Sequence, residues 1–454
     1  MKRRDFLSSA VGSSLLLGGT TLGGAPLLSS CEANEKAGAL KLLSNEELNL
    51  PPSFDRAPDG RALRFGLIGC GGRGSGAAMN LLYCGNDLSI VAITDLLPDR
   101  LETCRTMLNE RGKQHIPTEK AFLGFDGYKK VLDSDIDGVI IAIASRFHPM
   151  VFDAAIRAGK HVFIEKPCAV DPPGVRRFMM TAQQADQKGL AVVCGTQRRH
   201  GKDYIETYRR VASGMIGEIT GGSCYWCTGR TWYTNRRPEW SDTEFVLRNW
   251  LNFPFMGGDV IVDHHIHNMD VVSWFMGNKP PVRAMGFGAK IRPSLGCKYD
   301  FYAVDYEFDN GARIGSYTRH IDQCTDRIGE FLMGTKGKTD CFSTIWDLEG
   351  NVMWEFPYEK NEKGEKLPEM NYYVREHIDW VTAIRANKPI NDAHNMARST
   401  LITIMGRDSA FTGKSITWDE IMASTQELGP EVTAMGKLDF PTDHPLPGAA
   451  SIFG

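Results

Sequence analysis

The stretch FGLIGCGGRGSG, residues 65–76, decides the fold of this chain. It begins as a short apolar segment, typical of a buried strand, and continues into a G-x-G-x-x-G pattern formed by Gly69, Gly71 and Gly74. In a dinucleotide-binding turn the first glycine allows the tight turn, the second lets a pyrophosphate approach the backbone, and the third lets the next helix pack closely. Arg73 lies within the same loop. We therefore predict that this turn binds the phosphates of a dinucleotide.

An aspartate stands where the ribose of such a dinucleotide would be bound. A second strand-like run, residues 88–94, ends in Asp95, which lies 21 residues after Gly74. A carboxylate here hydrogen-bonds the ribose 2′-OH and repels a 2′-phosphate, so the pattern favours NAD over NADP. Because the chain has 47 glycines, a Gly-rich turn followed by a solvated aspartate is the alternative. The order strand, glycines, helix, strand and acid favours the dinucleotide site.

Alternating strand and helix patterns continue to about residue 195. Short apolar strands such as 139–144 and 161–164 are separated by helical stretches, which predicts a doubly wound parallel sheet. Between 219 and about 353, β-like runs alternate polar and apolar residues, as the strands of open antiparallel sheets do. One helix, at about 256–276, interrupts these runs.

The fold class is therefore α/β. We predict an N-terminal Rossmann domain with a doubly wound parallel sheet, and a C-terminal α/β domain with an open, mostly antiparallel sheet. A helical region at 372–412 closes the second domain. The predicted boundaries are, in chain order, an export signal at 1–31, a linker at 32–60, the Rossmann domain at 61–195, the second domain at 196–415 and a coil-like tail at 416–454.

The N-terminal residues have the layout of an export signal. Arg3 and Arg4 precede Phe6 and Leu7, which resembles the twin-arginine motif R-R-x-F-L. A mildly apolar stretch follows and ends in Leu-Ser-Ser-Cys at Cys31, which resembles a lipobox. We therefore predict export to the periplasm or cell envelope, a lipid anchor at Cys31, and a polar tether after it. The alternative is a disordered basic start or an apolar segment of the fold.

The overall composition excludes several classes of partner. The chain has 454 residues and a formal net charge of −3 with no basic block, so we predict no nucleic-acid partner. No apolar run reaches about 18 residues, so we predict no membrane-spanning helix. Cys224 and Cys227 form an isolated C-x-x-C, without the second pair that a zinc site would need. We interpret both as core or loop thiols.

Two motifs carry a family resemblance. AGKHVFIEKP, from Ala158 to Pro167, resembles the A-G-K-H-V-x-x-E-K-P signature of the Gfo/Idh/MocA oxidoreductases, the glucose-fructose oxidoreductase and inositol dehydrogenase group. GGDVIVDHHIHNMD, residues 257–270, resembles the D-x-x-x-H-x-x-D pattern of the same family. The resemblance covers roughly residues 63–415. It implies a Rossmann domain, an open-sheet second domain, binding of NAD or NADP, and a homo-oligomer that associates through the open sheet.

The resemblance assigns catalytic roles to Lys166, Asp263 and His267. On a helix Asp263 and His267 are four residues apart and share a face. Oxidation of a sugar hydroxyl needs a base for the proton. The ordinary pKa of a histidine suits that role, with a carboxylate to orient the ring. Lys166 would hydrogen-bond the reacting oxygen. The alternatives are a solvated lysine and a satisfied polar pair on a helix.

The same motif raises the alternative of a metal site, since three histidines and two acids occur within eight residues. On a continuous helix, however, His264 and His265 point to other faces than His267. We therefore predict no metal.

Further cofactor contacts are predicted at the carboxyl ends of the parallel strands, where ligands bind in such sheets. Ser145, Glu165 and Gln197 fall at or just after strand ends, and His148 sits where the family can have a histidine near the nicotinamide. Many family members have a Thr-Pro stretch here, whereas this chain has Ala-Ser-Arg-Phe-His at 144–148.

Aromatic residues and arginines cluster before the second motif. The aromatics are Trp226, Trp232, Tyr233, Trp240 and Trp250, and the arginines are Arg230, Arg236 and Arg237. Rings that stack on sugar faces suit a carbohydrate site, but aromatic packing on the sheet or at a subunit contact explains them equally well.

These observations predict an exported, NAD-dependent oxidoreductase that acts on a sugar or glycoside hydroxyl. Free NAD is not expected to be regenerated outside the cytoplasm, so the cofactor must stay bound and be reduced and reoxidised within one cycle. Substrate-to-substrate redox satisfies this condition, and so does glycosidic cleavage through a transient keto-sugar. One group of such glycosidases carries a Tyr-Pro-Thr-His segment that this sequence lacks. The non-enzymatic alternative is a sugar-binding protein that retains NAD structurally.

Overall fold

The computed structural model describes residues 40–448, and its first sheet is a six-stranded parallel one. The strands are β1 (Leu63–Ile68), β2 (Leu88–Asp95), β3 (Ala121–Leu123), β4 (Gly138–Ile141), β5 (His161–Ile164) and β6 (Val192–Cys194). They lie in the order β3-β2-β1-β4-β5-β6, and every neighbouring pair is parallel. The order reverses between β1 and β4, which opens a crevice at the carboxyl ends of the strands.

Helices cover both faces of this sheet. They are α1 (Gly72–Cys84), α2 (Pro98–Glu110), α3 (Gly127–Leu132), α4 (His148–Arg157) and α5 (Pro172–Gln187), and α6 (Lys202–Ala212) follows them. Alternate strand residues divide between two apolar clusters: Phe65 and Phe163 pack in the cluster of α1 and α2, whereas Val139 and Val162 pack in that of α4 and α5. The predicted doubly wound parallel sheet is thereby confirmed.

The second sheet has nine strands and is mostly antiparallel, as predicted. Its strands are β7 (Ile219–Thr228), β8 (Arg283–Ala289), β9 (Phe301–Glu307), β10 (Arg313–His320), β11 (Arg327–Gly334), β12 (Lys338–Thr339), β13 (Thr344–Trp346), β14 (Val352–Glu355) and β15 (Ile416–Thr417). The order is β14-β13-β12-β11-β7-β10-β9-β8-β15, and of the described neighbours in this second sheet only β7 and β10 are parallel. Buried and exposed residues alternate along β8 to β10, so one face is covered and the other is open.

Seven further helices lie in or beside this part of the chain. They are α7 (Asp242–Arg248), α8 (Pro254–Gly257), α9 (Val260–Asp263), α10 (Ile266–Phe275), α11 (Tyr372–Ala386), α12 (Ala393–Thr412) and α13 (Trp418–Ala423). Helices α10 and α12 pack on the covered face of the second sheet.

The single helix predicted at about 256–276 is instead the three pieces α8, α9 and α10. Gly258 has a φ of +84° and Asp259 a φ of +76°, which a continuous right-handed helix cannot contain. The Asp259 side chain then accepts a hydrogen bond from Val260 N at 2.6 Å, so the chain starts a new helix there. A second interruption, at His264 and His265 between α9 and α10, changes which histidines of the motif face the same side.

Helix α11 completes the core of the first domain, although it lies about 180 residues after β6 in the chain. Trp380 of this helix contacts Phe65 of β1 with ring centroids 4.9 Å apart, and both are fully buried. His200 is hydrogen-bonded to Asp379 at 2.7 Å, and this pair raises the pKa of His200 to about 10. The Rossmann core is therefore built from two separate stretches of the chain.

The predicted tether and tail both contain packed residues. The export signal and Cys31 lie outside the described residues. Part of the tether, residues 41–60, contacts the first and second domains: Leu43 N donates to Ser213 Oγ at 2.9 Å, and Asp55 pairs with Arg375 at 2.9 Å. The tail predicted from residue 416 as coil begins instead with β15, which pairs with β8, and with α13, which has a capping box at Thr417 and Glu420.

Two sequence features have simple structural outcomes. No helix within residues 40–448 is both long enough and apolar enough to cross a bilayer.

Cys224 is buried between His265 and Met269, while Cys227 is partly exposed, so the two thiols of the C-x-x-C point to opposite faces of β7.

Candidate active site

The glycine loop between β1 and α1 has the shape of a phosphate cradle. Gly69 has a φ of +100°, and a Cβ there would lie 2.2 Å from the carbonyl oxygen of Ala142. A Cβ at Gly74 would lie 1.9 Å from the carbonyl oxygen of Gly69, so helix and turn can pack only with glycine. At Gly71 the Cβ would meet only Arg100 Nη1, at 3.8 Å, and no side chain of the described residues caps the first N–H groups of α1. These free N–H groups suit a pyrophosphate.

Asp95 is held at the rim of this loop. Its carboxylate accepts hydrogen bonds from Cys70 N at 2.7 Å and from Leu97 N at 2.8 Å. Burial raises the pKa of Asp95, and these two bonds and the nearby Arg100 offset part of the rise. The side chain is therefore fixed next to the glycine turn, at the position where a ribose is bound in dinucleotide folds.

Arg73 takes part in structural ion pairs, so its guanidinium is not a free phosphate ligand. Its guanidinium bonds Glu165 and also Glu376, the latter at 2.7 Å, and lies 4.3 Å from the ring of Tyr373. These contacts join α1, the end of β5 and α11. Arg73 and Glu165, which were predicted as cofactor contacts, therefore also hold these three elements together. Sequence patterns did not indicate this structural role.

The other predicted cofactor contacts are all buried at the carboxyl edge of the sheet. Ser145 Oγ is buried without a hydrogen-bond partner among the described residues. His148 shares a hydrogen bond of 2.6 Å with the carbonyl oxygen of Pro167, and its Nε2 has no partner. Gln197 donates to the hydroxyl of Tyr373 at 3.3 Å, and its Oε1 is unpartnered. Such unpartnered buried groups next to the glycine loop fit a bound polar cofactor.

Lys166 and Asp263 meet across the two domains. The Lys166 ammonium donates to the carbonyl oxygen of Asp263 and lies 3.5 Å from its Oδ2. Burial raises the pKa of Asp263, although Lys166 holds it down in part, and Asp263 Oδ1 has no partner in the described chain. The motif E-K-P and the second motif therefore form one site, with a lysine and a carboxylate at its centre.

His267 faces the same site, but its pKa is not the ordinary histidine value on which its predicted role was based. The ring is buried, and burial together with the charges of Lys166 and Arg198 lowers the pKa of His267 well below 6.5. The side chain makes no hydrogen bond within residues 40–448. The imidazole is therefore neutral around pH 7 and free to accept a proton or hydrogen bond from a ligand.

The broken helix brings His264 to the site and turns His265 away. Both His264 and His267 stack on Trp226, with centroids 5.7 and 5.6 Å apart. His264 Nε2 also lies 3.6 Å from Asp263 Oδ2. The sequence-based expectation that His264 points elsewhere is therefore wrong, because it assumed one continuous helix. His265 does point elsewhere, to Ser316 Oγ at 2.7 Å.

The histidines and acids of this motif do not converge on a point. Among the described residues, no three His, Cys, Asp or Glu side chains lie together as metal ligands do. His265 bonds the sheet, while Asp270 pairs with Arg199 at 2.7 Å.

The aromatic cluster divides into packing and exposed residues. One face of Trp226 is taken by the imidazoles, and Trp240 is buried under Arg248, whose guanidinium lies 4.7 Å from the ring. Trp232 and Tyr233 are each 47% exposed. Packing therefore explains Trp240, and only Trp232 and Tyr233 present open rings.

Sequence reasoning missed two residues of the site. His320, at the end of β10, has its ring centroid 4.9 Å from that of His264. Lys298, in the loop before β9, is only 3% exposed and lowers the pKa values of both His264 and His320. Neither residue stands in a motif, and only the pairing of distant strands brings them here.

Comparison with known proteins agrees with this geometry. Residues 63–196 match the GFO_IDH_MocA family model, described as "Oxidoreductase family, NAD-binding Rossmann fold". The match covers less than a third of the chain. The glycine loop, Asp95 and the E-K-P motif all lie within this matched region, whereas Asp263 and His267 lie beyond it.

Full-length relatives extend the similarity. Inositol 2-dehydrogenase of Acidothermus cellulolyticus is 31% identical over 52% of this chain and 60% of its own length. Myo-inositol 2-dehydrogenase of Thermotoga maritima is 26% identical over 48% of this chain and 56% of its own. The chain thus spans less than two thirds of the length of these relatives.

A solved structure supports the two-domain fold beyond the matched region. Scyllo-inositol dehydrogenase from Lactobacillus casei, with bound NAD(H) and scyllo-inositol, superposes with a TM-score of 0.58. The alignment covers 78% of this chain and 99% of that one at 19% identity, so it establishes a shared fold.

Proposed function

We propose that this protein is an NAD-dependent oxidoreductase that acts on a hydroxyl group of a sugar or cyclitol. The observation that carries the proposal is the meeting of Lys166 with Asp263 at the carboxyl edge of an NAD-binding sheet, with the unbonded ring of His267 beside them. The chain resembles proteins named inositol dehydrogenases, and inositol is a cyclic polyol.

The chain's own residues can position a hydroxyl and remove its proton. Lys166, held by the carbonyl and carboxylate of Asp263, has ammonium hydrogens left to bond the reacting oxygen. Neutral His267 can accept the hydroxyl proton. The carboxylate of Asp263 offsets the positive charge that the imidazole then gains beside Lys166. NAD, when bound in the cradle, supplies the hydride acceptor for this chemistry.

Contacts between α7 and the first domain lie across the cofactor crevice, and they support the proposal that the cofactor stays bound. Helix α7 of the second domain reaches α2 of the first, where Arg248 forms two parallel bonds with Asp99, at 2.8 and 3.0 Å. The apolar cluster that includes Phe245 and Val246 of α7 also packs on Leu96 and Phe147, which follow β2 and β4. Both contacts lie at the carboxyl edge next to Asp95, so they hinder release of a dinucleotide from the cradle.

Absorbance at 340 nm tests the proposal directly. Purified protein should contain NAD, and a panel of hexoses, cyclitols and glycosides should include at least one member that raises the absorbance. A second sugar added as oxidant should then lower it, which is the result expected of substrate-to-substrate redox. Release of an aglycone without net absorbance change would favour the glycosidase alternative. Sugar binding with no absorbance change and no product would leave the sugar-binding alternative and contradict the enzyme.

We further propose that the protein is exported through the twin-arginine route and anchored at Cys31. Arg3, Arg4 and the lipobox-like Leu28 to Cys31 support this proposal. Changing Arg3 and Arg4 together to lysine should leave the precursor in the cytoplasm. Normal export of that variant would contradict the route, and unlipidated Cys31 in the mature protein would contradict the anchor.

The open face of the second sheet supports the proposal of a homo-oligomer. Met285 and Phe287 of β8, Tyr317 of β10 and Met333 of β11 expose between 40 and 57% of their surface. Exposed apolar residues on one sheet face suit a contact with a second copy. Light scattering would measure the molecular mass of the purified protein in solution. A monomer at micromolar concentration would contradict the proposed homo-oligomer.

A further inference from the structure

A buried lysine without a partner ends a row of polar side chains that begins at the reactive centre. The row consists of Lys166, Asp263, His264, His320 and Lys298. Successive members are close: Lys166 to Asp263 is 3.5 Å, Asp263 to His264 is 3.6 Å, and the rings of His264 and His320 are 4.9 Å apart. Lys298 comes last. The next residue, Tyr299, bonds Asp259 at 2.9 Å, and the carbonyl oxygen of Asp300 accepts a hydrogen bond from His320 N at 2.9 Å.

Lys298 has no counterion within contact distance. Its residue surface is 3% exposed, yet its ammonium forms no hydrogen bond or ion pair with any of residues 40–448. The two nearby carboxylates are taken by other donors. Asp259 accepts from Val260 N and Tyr299 N, and Asp300 accepts from the backbone and guanidinium of Arg292. A buried cation without a direct partner is costly to a fold and marks a binding group.

His320 contributes an acceptor to the same row. Its Nδ1 lies 3.0 Å from the carbonyl oxygen of Gly229, so this nitrogen carries the hydrogen. The pKa of His320 is lowered to about 3 by burial and by His264, so the ring is neutral at pH 7. Its Nε2 is therefore a buried acceptor, and it has no partner among the described residues. A ligand hydroxyl would satisfy it.

We propose that the substrate is a polyhydroxylated carboxylic acid, such as a uronic acid, whose carboxylate is bound by Lys298. This inference rests on the proposed oxidoreductase function. The reacting hydroxyl lies at Lys166 and His267, another hydroxyl donates to His320 Nε2, and the carboxylate pairs with Lys298. A phosphate would carry a charge of about −1.5 to −2, whereas the single unpaired ammonium matches the single charge of a carboxylate.

Titration calorimetry on the intact protein tests this ligand class separately from turnover. Glucuronate, glucose and glucose 6-phosphate are the three probes. Wild-type protein should bind glucuronate roughly 10- to 100-fold more tightly than glucose, as expected for one charge-assisted hydrogen bond. Lys298→Met should abolish this preference, so that glucuronate binds no more tightly than glucose. Equal affinities in the wild type, or a preference that survives in Lys298→Met, would overturn the proposal.

Two controls exclude trivial outcomes. Lys279→Met removes the same charge from an exposed lysine, which pairs with Asp309 on the surface, and should keep the glucuronate preference. The thermal midpoint of Lys298→Met should equal or exceed that of the wild type, because an uncompensated buried charge is removed. A clear drop in midpoint would show a structural lysine and overturn the proposal, as would Lys298-dependent binding that favours glucose 6-phosphate.

The proposed function and this inference fail in different ways. If glucuronate binds through Lys298 but no probe changes the absorbance at 340 nm, the ligand class stands and the redox function fails. If neutral sugars reduce the cofactor as well as glucuronate does, the redox function stands and the ligand class fails.

Discussion

Replacing Lys166 by alanine is expected to lower kcat/KM by roughly 10²- to 10⁴-fold while NAD stays bound, the range that a positioned proton-transfer or hydrogen-bonding group contributes. The ammonium bonds Asp263, and among the described residues no hydrogen bond joins it to the glycine loop. Loss of the side chain leaves the oxygen of the substrate without its donor and Asp263 with an unpaired buried charge. Steady-state kinetics and the NAD content of the purified variant measure the two effects.

The matched control for this variant is Lys129→Ala, which removes an exposed lysine of α3 that pairs with Asp126. It should keep wild-type kinetics. His267→Ala should resemble Lys166→Ala, since it removes the proton acceptor of the same site. Wild-type turnover in either of these two variants would show that the reaction takes place elsewhere.

Replacing Gly74 by alanine should weaken NAD binding by roughly 10- to 100-fold, through an overpacking cost of about 1–3 kcal/mol. The new Cβ would lie 1.9 Å from the carbonyl oxygen of Gly69, which belongs to the turn itself and cannot rotate away as a side chain could. The turn must move, and with it the N–H groups that face the pyrophosphate. Calorimetry with NAD on protein freed of cofactor measures the change.

Gly76 offers a control on the same helix. A Cβ at Gly76 meets no atom within 4 Å, so Gly76→Ala should keep the NAD affinity. It should also raise the unfolding free energy by up to about 1 kcal/mol, because alanine favours the helix. Equal NAD affinities for the Gly74 and Gly76 variants would mean that the cradle does not hold the phosphates.

Local patterns in the sequence were sufficient to predict the first sheet and the centre of the site. Strand, glycines and helix are contiguous at residues 65–84, and the acid follows at the end of the next strand, so near neighbours in the chain determine this geometry. Lys166 and Asp263 were predicted to meet only through the family resemblance, since no local pattern relates two residues so far apart.

The remaining features depend on backbone angles or on distant contacts. The helix break at Gly258 and Asp259 requires positive φ values that a motif does not reveal. A second interruption, at His264 and His265 between α9 and α10, brought His264 into the site. The low pKa of His267 depends on burial and on the charges of Lys166 and Arg198, which come from other parts of the chain. Lys298 lies in a loop with no pattern of its own.

The two-part core of the first domain affects the time at which the protein can fold. Trp380 and Phe65 are neighbours in space, but a ribosome adds about 190 residues between the end of the Rossmann strands and the end of α11, which takes about 10–40 s at 5–20 residues per second. Until then one apolar face of the nascent sheet is covered by α1 and α2 but lacks the part of its cover that α11 supplies. The proposed twin-arginine route carries folded proteins, so export and loading of the cofactor both have to wait for nearly complete synthesis. Chaperones that shield that face during translation would therefore set the yield of exported protein.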